Sequence, residues 1–363
     1  MSVTIREVAR EALVSVATVS RVLNGKGPVH ADTERRIRKA AKRLHYVPHG
    51  GARSLITRKT HTIGVLLPDL YGEFFSEVIR GIDLCARRSG YHVVVSSSHS
   101  NRAETESMFR AMRGRVDGLI VLYPGTRPPV RKGNLPDGFP VVLLNAPGSR
   151  SFDSLNIDNF GGAFAMVRHL VSLGHRRIAF IGGPAQNRDA VERLRGYREA
   201  VRASSADESR SLEVAGDFRE WAGYDACRSI RSIRPHPSAI FAANDAMAIG
   251  LLCAFRERGI RVPEQYAIAG FDDIPIARYI TPPLTSVRVP ISALGEQATL
   301  RVLKAIEEGP RHEWREETLP TALVIRESCG AGARSEDPPA PRGRGLSSVS
   351  ESHVGKNRQR LSG

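Results

Sequence analysis

Apolar and polar positions divide the chain into a short helical opening and a long alternating remainder. Thr4-Ile5-Arg6-Glu7 has capping-box spacing, and Ile5, Val8, Ala9 and Ala12 fall on one helical face. Leu13-Val14 reads as a tight turn. Ser15 then caps a second helix that turns Val19, Val22 and Leu23 inward. Asn24-Gly25-Lys26-Gly27-Pro28 breaks this helix. A third covers about Asp32 to His45, with Ile37, Ala41 and Leu44 on its inner face.

A linker follows, from Val47-Pro48 to about Thr60, and the period then changes. Strand-like apolar runs stand at Ile63–Leu67, Val93–Val95, Leu119–Leu122 and Val141–Leu144. A second set stands at Ile178–Ile181, Ala239–Ala242 and Ala267–Phe271. Amphipathic helices lie between them. One has the stripe Phe74, Phe75, Val78, Ile79, Ile82, Cys85 and Ala86; another has Ala246, Ile249, Gly250 and Cys253. Near-continuous apolar strands alternating with helices predict parallel sheets covered on both faces. Two such sets predict two α/β lobes with a cleft at the carboxyl ends of their strands. From Ala331 the chain is rich in Pro, Gly, Ser and Arg without period, and reads as a disordered tail. The expected divisions are 1–46, 47–60, 61–330 and 331–363.

Charge sharpens this picture. The net charge is +15 over 363 residues. Residues 1–60 hold 13 Lys/Arg against 4 Asp/Glu, so +9 of the excess sits in the helical opening and its linker. Such a concentration is the electrostatic footprint of a polyanion-binding module. The apolar fraction, 41%, fits a folded protein. No apolar run is long enough for a membrane span, and Met1–Arg10 lacks the apolar core of a signal peptide; a cytoplasmic protein is expected. The four cysteines are far apart and form no C-x-x-C pair, so neither a zinc nor a redox motif is present. No nucleophile elbow, H-E-x-x-H or P-loop occurs, which argues against an enzyme, and no cofactor or metal is expected.

Thr4–Ala12 with Val14–Gly25 closely resembles the DNA-binding headpiece of the lactose/galactose repressor (LacI/GalR) family. The resemblance continues through Leu44-His45-Tyr46-Val47-Pro48 and Ala52-Arg53-Ser54-Leu55. It reappears at Arg193-Leu194-Arg195-Gly196-Tyr197, Ala243-Asn244-Asp245, Gly270-Phe271-Asp272-Asp273 and Val324-Ile325-Arg326-Glu327-Ser328. It implies a small all-α helix-turn-helix headpiece and a two-lobed α/β, periplasmic-binding-protein-like domain with parallel sheets. The implied function is that of a transcription regulator, most simply a repressor. It would bind a pseudo-palindromic DNA operator as a homodimer, under the control of a sugar or related metabolite.

The second helix of a helix-turn-helix lies in the major groove, with its first residues at base edges. Val16 and Ala17 occupy that first turn; Ala17, Ser20, Arg21 and Asn24 share its outer face. Arg21 can bond a guanine bidentately, and Thr4, Ser15, Thr18, Ser20 and Asn24 suit phosphate contacts. The resemblance places Leu55 on a short hinge helix as a minor-groove wedge. Gly50 and Gly51 weaken that helix. For the effector it carries over Phe74, Asn145, Asn187, Asp189, Arg193, Phe218, Asn244 and Asp272. In that set Phe218 is a stacking platform, and Arg193 and Asp272 are charged anchors.

The sequence also departs from the family. Leu13 stands where a left-handed backbone favours Gly or Asn, at a cost on the order of 1–2 kcal/mol. His30 replaces a usual Ser cap. Val191 stands where many sugar-responsive members carry an Arg, and Asn145 where Asp is frequent. Gly182-Gly183-Pro184 lacks the frame of a phosphate cradle and reads as a turn. A periplasmic solute-binding protein would share the two lobes but not the basic headpiece.

Overall fold

The computed structural model describes residues 3–23, 28–46, 59–99, 101–125, 135–136, 138–149, 151–204, 206 and 212–331. It opens with three helices: α1 (Ile5–Glu11), α2 (Val16–Leu23) and α3 (Ala31–Arg43). They close on a small core centred on Val8, Val19, Val22 and Ile37. The Thr4 amide donates to Glu7 Oε2 at 2.6 Å, and the Ser15 hydroxyl accepts from the Thr18 amide at 3.1 Å. Both expected caps are therefore in place. At the end of α1 the Val14 amide reaches Ala9 O (3.0 Å) and the Leu13 amide reaches Arg10 O (3.2 Å). This closure needs a left-handed residue, and Leu13 takes it, with φ 52°. α3 ends the same way, with His45 at φ 49°, so it stops two residues short of the expected His45.

Two lobes follow. The first sheet has the order β2-β1-β3-β4-β5-β11, all parallel. Its strands are β1 (Thr62–Leu67), β2 (His92–Ser97), β3 (Gly118–Leu122), β4 (Val141–Leu144), β5 (Asp153–Ile157) and β11 (Glu316–Leu319). Ile63, Val65 and Leu67 face the core shared with α4 (Glu73–Arg88) and α10 (Ile291–Glu308); Leu66 faces the other side, against α5 (Arg102–Met112). Apolar residues on both faces of one strand are what coverage of both faces demands.

The second sheet has the order β7-β6-β8-β9-β10-β12, parallel except for β12. Its strands are β6 (Ile178–Ile181), β7 (Glu213–Val214), β8 (Ala239–Ala242), β9 (Ala267–Asp272), β10 (Thr285–Arg288) and β12 (Ala322–Val324). Helices α6 (Asn159–Ser172) and α7 (Arg188–Ala203) pack together, as do α8 (Glu220–Ser232) and α9 (Asp245–Glu257). Gly223 and Gly250 let α8 and α9 touch. A Cβ on Gly223 would lie 1.9 Å from Met247 O, and one on Gly250 1.8 Å from Glu220 O.

The α9 face differs from the expected stripe. Met247, Ala248, Leu251 and Phe255 are buried, whereas Ala246 and Ile249 turn toward the cleft. Ile249 also packs against the core, so it serves both the cleft wall and the lobe interior. Strands β5, β7, β10, β11 and β12 were not expected. β5 carries Asp153, Ser154 and Asn156, all buried, which breaks the apolar signal.

The chain crosses between lobes at three places: after β5, between β10 and α10, and between β11 and β12. The first and third crossings are joined where the Asp158 amide donates to Leu319 O (3.1 Å). Before β1, Asp117 receives the Thr60 and His61 amides at 2.7 and 2.8 Å. The end of the linker at Thr60 is thus fastened to the first lobe. Asn24, Leu55, the hinge glycines Gly50 and Gly51, and the tail beyond Ala331 lie outside the described residues.

Candidate DNA-reading face and effector cleft

The residues expected to meet DNA separate cleanly by burial. Val19 and Val22 anchor α2 in the headpiece core, while Ser15, Val16, Ala17 and Arg21 are exposed. Thr18 and Ser20 are half-buried beside them, and Thr4 is exposed at the start of α1. The first turn of α2 and its Ala17–Arg21 face are thereby presented together. The hydroxyls of Ser15 and Thr18 are 2.8 Å apart, which orients both at the helix start. Arg36 from α3 donates to Ala12 O at 2.8 Å and braces the turn from behind.

A cavity of about 480 Å³ opens between the lobes. Its wall comes from segments that follow strand ends: Pro68–Phe75 after β1, Pro124 after β3, Asp217-Phe218 after β7, Asn244 after β8 and Asp272 at the end of β9. That is the position expected for a ligand in parallel α/β sheets. Phe74, Asn187, Asp189, Arg193, Phe218, Asn244 and Asp272 all line it. Asn145 does not. It is buried, and its Nδ2 donates to Asp189 Oδ2 at 2.9 Å across the two lobes.

Several of these side chains already serve the fold. Asn187 caps α7 through the Ala190 amide (3.1 Å). Asn244 caps α9 through the Met247 amide (3.0 Å) and donates to Phe218 O (2.8 Å), holding that residue at φ 72°. Phe218 lies against Gly183, where a Cβ would be 2.5 Å from its ring. Gly182-Gly183-Pro184 is therefore the turn that admits an aromatic platform.

At the floor, Arg193 Nη2 pairs with Asp272 Oδ1 at 3.0 Å, with both side chains buried. Arg193 also donates to Asn159 Oδ1 (2.8 Å) and Ala243 O (2.6 Å), over the Phe271 ring at 3.8 Å. Burial lifts the Asp272 carboxyl to about 6, against the pull of Arg193. Burial likewise raises Asp189, with Arg193 and the Asn145 and Asn159 amides opposing. Asp245 is pushed well up by burial and by Asp272 and Asp273 nearby.

Asp272 has φ 107° and Asp273 φ 53°, both rare for side chains other than glycine. Ion pairs hold this strained step. Asp272 faces Arg193, while Asp273 turns away to Arg288 Nε (2.6 Å) and Arg326 Nη2 (2.7 Å). The strain aims one carboxylate into the cleft and the other into the lobe.

Sequence reading missed the rim. Arg219 Nη2 meets Asp69 Oδ2 at 3.1 Å, Tyr71 OH donates to Glu220 Oε2 at 3.2 Å, and the Ile276 amide donates to Glu73 Oε2 at 3.2 Å. Each pair joins opposite lobes across roughly 150 to 200 positions, beyond any local spacing. Asn159 was also missed; its burial between Asp189 and Arg193 could have been read only from the lobes themselves.

A helix-turn-helix unit joined to two α/β lobes around a polar cleft defines a DNA-binding transcription regulator with a small-molecule site. Residues 4–49 match the pattern of bacterial regulatory proteins of the lacI family, and residues 167–329 that of a periplasmic binding protein-like domain. The ribose operon repressor of Escherichia coli (strain K12) is 34% identical over 324 residues, covering 88% of this chain and 98% of that protein. The lac repressor dimer bound to operator and the anti-inducer ONPF superposes with a TM-score of 0.82 at 28% identity, covering 91% of this chain and 99% of the other. A LacI family regulator from Enterococcus faecium with bound ribose gives 0.66 at 28% identity, covering 74% and 98%. The chain belongs to the bacterial LacI family and is a sequence-specific DNA-binding transcriptional regulator. Among the described residues no helix is long and apolar enough to cross a membrane.

Proposed function

We propose that this chain is a cytoplasmic repressor, not an enzyme, that binds a pseudo-palindromic operator as a homodimer and responds to a sugar or related metabolite held in the interlobe cleft. Residues 1–46 form the reading unit, 47–60 the hinge, 61–330 the sensing and pairing body, and 331–363 a tail. Thr4, Ser15, Thr18, Ser20 and Asn24 contact phosphate, Val16, Ala17 and Arg21 read bases, and Leu55 enters the minor groove.

One observation carries the reading. Seven residues expected at a ligand converge on one cavity at the carboxyl ends of both sheets, in a chain whose +9 opening exposes the first turn of a recognition helix. The names of the relatives support it: one is a ribose operon repressor, one a lac repressor dimer on operator, one a regulator with bound ribose. The test is operator selection from random DNA, followed by anisotropy titration with and without a panel of metabolites. A two-fold symmetric consensus whose affinity changes with one metabolite is expected. Recovery of no preferred sequence would overturn the proposal.

A further inference from the structure

The cleft is acidic, and the cations among its described lining residues are already engaged. Six carboxylates line it: Asp69, Glu73, Asp189, Asp217, Glu220 and Asp272. Against them stand only Arg193, Arg219 and His99; no Lys lines the wall. Arg193 gives one N–H each to Asn159 and Ala243 and pairs with Asp272, so its charge is already compensated. Arg219 is paired with Asp69 at the mouth, and His99 Nδ1 lies 2.8 Å from Glu104. Arg188 bears on Asp189 from outside the lining. The start of α4 also faces the cavity, but Glu73 occupies its first turn.

An incoming phosphate or carboxylate would meet an excess of like charge, with each lining Arg already paired to a carboxylate, inside a partly enclosed site where screening is weak. Hydroxyl groups are served differently. Asp189 and Asp272 accept, while Phe74 and Phe218 offer apolar faces. We propose that the cleft takes an uncharged polyhydroxy ligand, a free sugar or a nucleoside, and rejects the phosphorylated form of the same compound. This rests on the reading that the cleft holds the effector, and it divides that metabolite class by charge.

The test uses the full chain and matched pairs: D-ribose and ribose 5-phosphate, glucose and glucose 6-phosphate, adenosine and AMP, cytidine and CMP. Binding is read by calorimetry, and operator release by anisotropy. One uncharged member binds, and its phosphate binds at least about 100-fold more weakly. Asp217→Asn with Glu220→Gln removes two rim charges, and the ratio narrows by about threefold to tenfold. A phosphate that binds as tightly as its parent, or more tightly, overturns the charge selection while leaving the effector site standing. If neither member of any pair binds or shifts operator affinity, while operator binding persists, the effector reading falls and the inference with it.

Discussion

Arg193 and Asp272 form an ion pair of 3.0 Å at the floor of the cleft, and both side chains are largely buried. Each was expected only as a ligand anchor. The structure adds that each is the other's partner, so neither can be removed quietly. Truncating one member of a buried pair leaves a desolvated charge, at about 3–5 kcal/mol. Arg193→Ala and Asp272→Ala should each lower the urea midpoint strongly, and the double variant should lose much less than their sum. Additive losses in that cycle would mean that the two side chains act independently.

The acidity of Asp272 gives stability a direction with pH. Its folded value of about 6 lies above the ordinary 3.8, so the folded chain keeps a proton that the unfolded chain has released. The contribution is complete below 3.8 and lost as pH rises through 6. Asp189 and Asp245 are raised too and act in the same sense. Urea midpoints measured between about pH 4 and pH 7 should show a downward component. In Asp272→Asn, whose amide oxygen still faces Arg193, the profile should be flatter. An unchanged slope would assign the component to other groups.

Arg21 is exposed on the outer face of α2. Arg21→Ala should cost about 1–3 kcal/mol in operator binding and relax the preference at one base pair per half-site. Binding to a set of single-base operator variants checks this. A uniform loss across all of them would make Arg21 a phosphate contact instead.

Leu13 takes a left-handed backbone with 84% of its surface exposed. Its side chain gains nothing from packing that would offset the strain. Leu13→Gly should raise headpiece stability by up to about 1 kcal/mol, since relief of strain exceeds the extra freedom of glycine in the unfolded chain. Thermal unfolding followed at the headpiece reads it directly, and a lowered midpoint would show that Leu13 holds contacts of its own.

Gly250→Ala should force α8 from α9, because the added methyl meets Glu220 O. A loss of about 1–3 kcal/mol in stability is expected. Glu220 sits on the cleft rim, so ligand affinity should fall as well. A variant with native stability and affinity would mean that the helices part without consequence.

Legibility in the sequence followed the strength of local signals. Val141–Leu144, Ile178–Ile181 and Ala239–Ala242 were found to the residue, because strands buried on both faces are apolar throughout. β5 escaped because its buried Asp153, Ser154 and Asn156 are satisfied by distant groups: His312, the Ala146 carbonyl and Glu316. The resemblance named seven residues that line the cleft, yet it could not show that Asn145 bonds Asp189 or that Arg193 is shared among Asn159, Ala243 and Asp272. Asp272 and Asp273 look alike in sequence. Only the left-handed step between them sends one to the ligand space and the other to Arg326.

The two hydrogen bonds that Asp117 accepts from the Thr60 and His61 amides remove slack where the chain enters the first lobe. A rope tied loosely would absorb a tilt of the first lobe; one cleated at its last link transmits it. Because Asp117 directly precedes β3, the same strand that leads to Pro124 at the cleft, any swing of that sheet carries Thr60 and His61 with it. In a symmetric pair, two such moorings would turn a change of lobe angle into a change in the gap between the two reading helices. The operator fixes that gap, so a ligand need not touch the DNA-reading residues at all to spoil their fit.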